Sequence, residues 1–212
     1  MIEYLDNLDR AATLFLNGFH TPWFDNLLFN YSKMWVWVPF YILYIVHLAI
    51  KSGRKNLWWL LAIVLTIFIS DQISSGILKP LVERFRPSHD PEMKDLIHIV
   101  NGYRGGRFGF TSSHASNSVA AATLLMLIIR SRLQTIMPIV WAAIMGYSRI
   151  YLGVHYLGDV LCGSMIGVFA GWVSYSLLSS RMNLNFQIGE KDRIHRESLM
   201  VYVVTLILLA IM

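Results

Sequence analysis

The sequence predicts an all-α, polytopic membrane helical bundle with about six transmembrane helices and an N-terminal amphipathic interfacial helix. Three observations carry that class. Apolar blocks of about twenty residues, long enough to cross a hydrocarbon layer of ~30 Å, recur along the 212-residue chain. Charged residues make up only 15% of a chain that is 55% hydrophobic, and the basic ones gather in short connections between the blocks. Three basic connections fall on one side of the six spans, which the preference for positive charge on the cytoplasmic side makes cytoplasmic. One domain, 1–212, is expected at this length. A net charge of +5 raises nucleic acid as a partner, but charge confined to loops between apolar blocks reads as membrane topology instead.

Residues 2–31 come first. Ile2, Leu5, Leu8, Ala12 and Phe15 recur at helical spacing against Glu3, Asp6, Asp9 and Arg10, which predicts a helix lying on a membrane surface. The acidic start lacks the basic end and apolar run of a cleaved signal peptide. Thr21-Pro22 reads as an N-cap followed by proline at the first helical position. The predicted spans are 34–50, 57–78, 112–130, 133–152, 156–179 and 198–212. The basic connections are KSGRKN (51–56), the turn at Arg130 and Arg132, and the stretch bearing Arg181, Lys191, Arg193 and Arg196. Together they put one face on the cytoplasmic side. The N-terminus, the connection 79–111 and the short connection near 153–156 then share the outer face of a bacterial membrane. In the fifth span Gly158, Gly163, Gly167 and Gly171 predict close helix packing, within the chain or between copies. Cys162, the single cysteine, excludes an internal disulfide and reads as a small buried hydrophobe.

The connection 79–111 is long for a loop without its own elements, which calls for a function. It is also basic, with Lys79, Arg84, Arg86, Lys94, Arg104 and Arg107 on the side where topology does not ask for positive charge. An anionic ligand explains it. Three clusters fall at this face: Lys79 with Arg86-Pro87, then Thr111-Ser112-Ser113-His114, then Ser148-Arg149 with His155 and Asp159. Each has a simpler reading on its own. The cations can be interfacial anchors, Ser112 a helix cap, and His155 with Asp159 an i, i+4 pair or two metal ligands without a third. Their convergence at one face is better explained by phosphoryl chemistry. Lys79, Arg86 and Arg149 can neutralise phosphoryl oxygens, and the planar guanidinium meets them two at a time. Ser112 adds a hydroxyl, and the Ser113 and His114 N–H groups open a helix, a ready anion site. Two imidazoles can divide attack on phosphorus from protonation of the leaving oxygen, and a carboxylate one turn from His155 can orient it.

The pattern K-x6-R-P, x-S-x-H, S-R-x5-H-x3-D over residues 79–159 resembles the type-2 phosphatidic acid phosphatases, integral-membrane lipid phosphatases related in their site to vanadium haloperoxidases. The six-span layout extends the resemblance over most of the chain. The second motif departs from the family's P-S-G-H: Ser113 keeps the backbone N–H but adds a side chain. The resemblance implies His155 as nucleophile through a phosphohistidine, Asp159 as its support and His114 as general acid. It implies Lys79, Arg86, Ser112, Ser113 and Arg149 as the phosphate cradle, and no metal or cofactor. Asp71 reads either as partner to a site cation or as a helix–helix hydrogen bonder. Arg104 and Arg107, among glycines, read as contacts to a second phosphate or sugar headgroup, or as a solvated basic loop.

The expected activity is hydrolysis of a lipid phosphate monoester or diphosphate at the outer face, with undecaprenyl diphosphate or a lipid A phosphate foremost. A phosphatidylglycerophosphate or phosphatidic acid phosphatase is the alternative within the class. A non-enzymatic transporter of anionic lipids is the alternative outside it, but needs neither the paired histidines nor Asp159. The oligomeric state stays open.

Overall fold

A computed structural model describes residues 2–52, 57–129, 132–182 and 193–211. The helices are α1 (Ile2–Asn17), α2 (Pro22–Tyr31), α3 (Val38–Ser52), α4 (Trp58–Asp71), α5 (Lys79–Val82), α6 (Ser113–Ile129), α7 (Arg132–Tyr151), α8 (Leu157–Met182) and α9 (Arg193–Ile211). Among the described residues the sole β-type pairing is an isolated bridge between Phe85 and Phe108. The Thr21 hydroxyl accepts the Phe24 N–H at 3.2 Å with Pro22 at the first helical position, so α2 starts as its capping sequence dictates. From α4 the chain passes through a π-helical stretch, Gln72–Leu78, into α5. A π segment interrupting a helix is often found at functional sites.

α6 is the central strut, packed against α4, α7 and α8. Contact with α8 depends on missing side chains. A Cβ at Gly163 would lie 2.6 Å from the Ser112 carbonyl oxygen, and one at Gly167 would lie 2.5 Å from that of Ser116. One at Gly171 would lie 2.8 Å from the Thr123 Cβ. The small-residue stripe therefore serves packing within the chain. Gly158 faces α1 instead, its N–H donating to Asp9 at 2.7 Å. Ser70 and Ser116, both buried, join α4 to α6 at 2.6 Å. A cluster around Tyr31, Trp37, Phe40, Trp141 and Tyr202 ties α2, α3, α7 and α9 into the same core.

Large apolar side chains cover the outside: Val64 and Phe68 on α4, Met165, Phe169 and Trp172 on α8, Leu208 on α9. A surface so apolar matches a hydrocarbon environment rather than water. By length and hydropathy, Trp58–Val82 and Leu157–Arg181 suffice to cross a membrane. Pro22–Tyr31 and Met34–Ile50, bent by 69° from each other, make a third if counted together. Six spans were expected, and six helices lie near the expected positions. The shortfall has a physical reason. α6 opens on Ser113, His114, Ser116, Asn117 and Ser118, while α7 carries Arg132, Gln134, Ser148 and Arg149. α6 stays apolar despite them and falls short through its length of 17 residues, whereas the polar residues of α7 lower its hydropathy.

α1 forms as expected but turns its polar face inward. Thr13 and Asn17 are buried, whereas Tyr4, Leu5, Leu8 and Phe15 are exposed. Cys162 is a half-buried free thiol on α8 rather than a fully buried one. The orientation read from KSGRKN, Arg130 and the 183–192 connection lies outside the described residues.

The α6–α8 contact yields a direct prediction. Gly167→Ala drives a methyl group into helix backbone and should lower stability by about 1–3 kcal/mol. Gly106→Ala, where no atom lies within 4 Å of the added carbon, should leave the thermal midpoint in detergent unchanged.

Candidate active site

The three sequence clusters meet at one end of the bundle. The π stretch leads into Lys79 at the start of α5, and the following loop carries Arg86. Thr111 and Ser112 lead into α6, and Arg149 lies in the last turn of α7. His155 stands in the short connection to α8, and Asp159 is in the first turn of that helix. Burial is deep: Arg86 is 9% exposed, Arg149 2%, His155 1% and Asp159 0%.

His155 is held on both ring nitrogens. Arg86 Nη1 lies 3.0 Å from Nε2, and Asp159 Oδ2 lies 3.4 Å from Nδ1. A guanidinium only donates, so Nε2 accepts and the ring proton sits on Nδ1, facing the carboxylate. Burial, then the positive charges of Arg86, Arg149 and Lys79, hold the His155 pKa well below the usual imidazole range. The ring is therefore neutral at physiological pH, with its lone pair on Nε2 directed at the cations. Asp159 Oδ2 also accepts the Tyr156 N–H at 3.0 Å, and the Asp159 carbonyl accepts the Ser112 N–H at 3.1 Å. The last bond locks the start of α6 to the start of α8.

Lys79, Arg86 and Arg149 surround this pair. Burial and the nearby Arg149 charge both disfavour a charged Arg86. Arg86 is steered by the backbone, with Nε donating to the Phe108 carbonyl and Nη1 to that of Val154, each at 3.1 Å. Arg149 donates to the Tyr103 hydroxyl at 3.4 Å, while its buried Nε has no partner among the described residues. His114, half-buried at the second position of α6, lies within electrostatic reach of Arg149, His155, Arg86 and Lys79. The N–H groups of Ser113 and His114 have no partner within their own helix, as in any first turn. The Ser112 hydroxyl accepts the Ala115 N–H at 3.4 Å, a capping contact. Buried cations held close repel each other and call for a shared anion.

The remaining sequence candidates sit around this centre. Asp71 accepts from Asn117 at 3.4 Å, a hydrogen bond between α4 and α6, and its charge favours the charged form of Lys79. Arg104 is spent on its own loop, donating to the Ser88 carbonyl at 2.6 Å. Arg107 is exposed and lies over the Phe85 and Phe108 rings, 5.0 and 5.4 Å from their centroids. The loop glycines approach Arg86 itself. A Cβ at Gly105, where φ is +65°, would lie 3.1 Å from Arg86 Nη1, and one at Gly109 would lie 3.1 Å from both Arg86 Cγ and Asp159 Oδ2. Among the described residues no three His, Cys, Asp or Glu side chains converge as a metal site would require.

Sequence reasoning missed Arg84 and Tyr103. Arg84 stood only as one more loop charge. It donates to Asp159 Oδ1 at 3.2 Å, Asp9 Oδ2 at 2.8 Å and Asp6 Oδ1 at 2.9 Å. Burial disfavours its charge, but Asp159, Asp9 and Asp6 outweigh that and raise its pKa. No spacing pattern links positions 75 residues apart. An apolar cavity of about 290 Å³ is lined by Asn117, one turn along α6 from His114, together with Tyr41, Thr66, Leu124 and Trp141.

The sequence model described as the PAP2 superfamily matches residues 56–183. A lipid A 4'-phosphatase of Bacteroides thetaiotaomicron is 40% identical over 95% of this chain and 92% of its own length. One of Porphyromonas gingivalis is 36% identical over 83% of this chain and 75% of its own. The crystal structure of Aquifex aeolicus LpxE superposes with a TM-score of 0.63 at 22% identity, covering 78% of this chain and 93% of that one. A PAP2-type phosphatidylglycerolphosphate phosphatase from Bacillus subtilis superposes at 0.64 with 21% identity, covering 89% and 90%. At such identities the two superpositions show the fold alone.

The cation cluster is testable without any substrate. Inorganic phosphate should raise the thermal midpoint by mass action. Arg149→Met should weaken that binding by about tenfold or more. Arg104→Met, already committed to Ser88, should leave it unchanged.

Proposed function

The chain belongs to the PAP2 superfamily, and we propose that it is a membrane lipid phosphatase that removes a phosphate from lipid A. The observation that carries the proposal is a neutral His155 whose Nε2 accepts from Arg86 Nη1 at 3.0 Å, with the charges of Arg149 and Lys79 around it. Support for the lipid comes from the relatives: those at 40% and 36% identity are named for lipid A, whereas an undecaprenyl-diphosphatase of Sulfolobus acidocaldarius is 26% identical over 81% of this chain.

In this mechanism the phosphoryl group enters among Lys79, Arg86, Arg149, Ser112 and the N–H groups of Ser113 and His114. Arg86 Nη1 transfers its hydrogen bond from Nε2 of His155 to a phosphoryl oxygen, which releases the lone pair. Nε2 attacks phosphorus in line, an N–P bond forms and the bond from phosphorus to the lipid oxygen breaks. His114 gives its proton to that oxygen, so the lipid leaves as an alcohol. Asp159 accepts the Nδ1–H bond throughout and stabilises the charge that develops on the ring. Water, deprotonated by His114, then attacks phosphorus, the N–P bond breaks and inorganic phosphate leaves. Each histidine returns to its starting state. Arg107, at the rim of the site, is placed to meet an anionic headgroup.

Six membrane crossings, with the site at the outer face of a bacterial inner membrane, complete the proposal. The apolar outer surface and the basic outer loop support it. The cavity starting at Asn117, one turn along α6 from His114, offers acyl chains a lateral place beside the reacting phosphate. Residues 1–212 act as one catalytic domain. The transporter reading gains nothing from the Asp159–His155 pair.

Purified protein in detergent with EDTA should release phosphate from lipid A with a higher kcat/KM than from undecaprenyl diphosphate, phosphatidylglycerophosphate or phosphatidic acid. His155→Ala should abolish release from all four. A different first-ranked lipid overturns the substrate assignment, and undiminished release by His155→Ala overturns the nucleophile.

A further inference from the structure

We propose that Arg84 is a positioning residue of this reaction and that α1 belongs to the catalytic unit, because Asp6 and Asp9 clamp the Arg84 guanidinium against Asp159. The proposal rests on His155 as nucleophile. It adds a layer behind it, reached from the opposite end of the sequence.

Arg84 differs from the other cations at this end of the bundle. Both terminal nitrogens are already committed, Nη1 to Asp159 and Asp9 and Nη2 to Asp6. Its guanidinium carbon lies 3.8 Å from the centroid of the Tyr156 ring, so the plane is covered as well. It is thus not available to a phosphate, and its one contact with the catalytic group is the far oxygen of Asp159. That oxygen needs a partner. Asp159 is fully buried, and Oδ2 serves the Tyr156 N–H and the His155 Nδ1–H. Without Arg84, Oδ1 would be an unpaired charged oxygen away from water. The carboxylate would be free to rotate, and the His155 ring would lose the fixed acceptor that keeps its proton on Nδ1.

α1 fixes the same region twice over. Asp9 binds Arg84 through Oδ2 and the Gly158 N–H through Oδ1, the latter at 2.7 Å. Thr13 Oγ1 accepts the Leu157 N–H at 3.0 Å. These two N–H groups open α8 and have no partner within it, so α1 caps from outside the helix that carries Asp159. Farther along, Asn17 donates to the Tyr151 carbonyl at 2.7 Å and accepts the His98 N–H at 2.8 Å. Asp6, Asp9, Thr13 and Asn17 are spaced three, four and four residues apart, so one helical face lies along the catalytic connection. Gly158 belongs to this fit, since a Cβ there would lie 2.8 Å from Asp9 Oδ2.

The test is a kinetic double-mutant cycle, run on whichever lipid phosphate the wild type hydrolyses, so that the identity of the lipid does not enter. Arg84→Met should lower kcat by about 10–100-fold, the range of supporting contacts behind a reactive group, with KM changed less than about twofold. Arg84→Lys should recover part of the loss, and Asp9→Asn should lower kcat in the same direction by less. In an Asp159→Asn background, Arg84→Met should cost no more than about a further twofold, because its route of action is already cut. Equal losses in both backgrounds, or an unchanged kcat, overturn the proposal. Should Arg84→Met not fold, Asp9→Asn with Asp159→Asn completes the same cycle. Failure of the nucleophile itself would show separately, as turnover by His155→Ala.

Discussion

The structure depends on three like charges held together away from water. Lys79 opens a short helix, Arg86 lies in a loop and Arg149 ends another helix, and the burial of the two arginines with the half-burial of the lysine weakens the solvent screening that would let them coexist. Asp159, buried at the start of α8, offsets this repulsion only in part, because its oxygens are also taken by His155, Tyr156 and Arg84. Such an arrangement persists only if the scaffold holds it rigidly. Rigidity comes from α6 and α8, whose backbones touch through glycine and whose first turns are joined by the Ser112–Asp159 bond. A tetrahedral dianion entering this space replaces mutual repulsion with shared attraction. In the proposed reaction the same geometry would hold the phosphoryl group beside His155.

Bilayer and site make opposite demands on the same helices. Hydrocarbon favours apolar helices throughout, whereas catalysis needs Ser, His, Asn and Arg within them. The bundle resolves this by sidedness. Exposed Val64, Phe68, Phe169 and Trp172 face outward, and Ser70, Ser116, Ser118, Ser148 and Arg149 are buried. α1 follows the same rule in miniature, apolar residues outward and Asp9, Thr13 and Asn17 against the protein. The cavity lined by Tyr41, Leu124 and Trp141 is apolar over most of its wall, with Asn117 and Thr66 among its polar lining residues.

Much of the site was legible in the residue types and spacings. K-x6-R-P, the Ser112–His114 pair and S-R-x5-H-x3-D supply the groups that the structure brings together, because helix ends translate short spacings into nearby positions. The helices were legible from apolar length. Less legible was how many of them read as crossings, since α6 is apolar but only 17 residues long and polar residues dilute the hydropathy of α7. The inward face of α1 was not legible. Amphipathicity gives two faces, and whether the polar one meets water or protein depends on partners such as Arg84 that lie 75 residues away. Nor was the task of the loop glycines, which cover Arg86 rather than a ligand. The π stretch before Lys79 is set by tertiary packing and left no signature in the sequence.

In the proposed reaction His155 carries the phosphoryl group between lipid and water. Rapid quenching of the enzyme during turnover of a lipid labelled in its phosphoryl group, followed by peptide mapping, tests it most directly. The account predicts transient label on the His155 imidazole, stable to alkali and lost in mild acid as an N–P bond requires. Turnover with no labelled protein at any quench time, or label on a different residue, would contradict it.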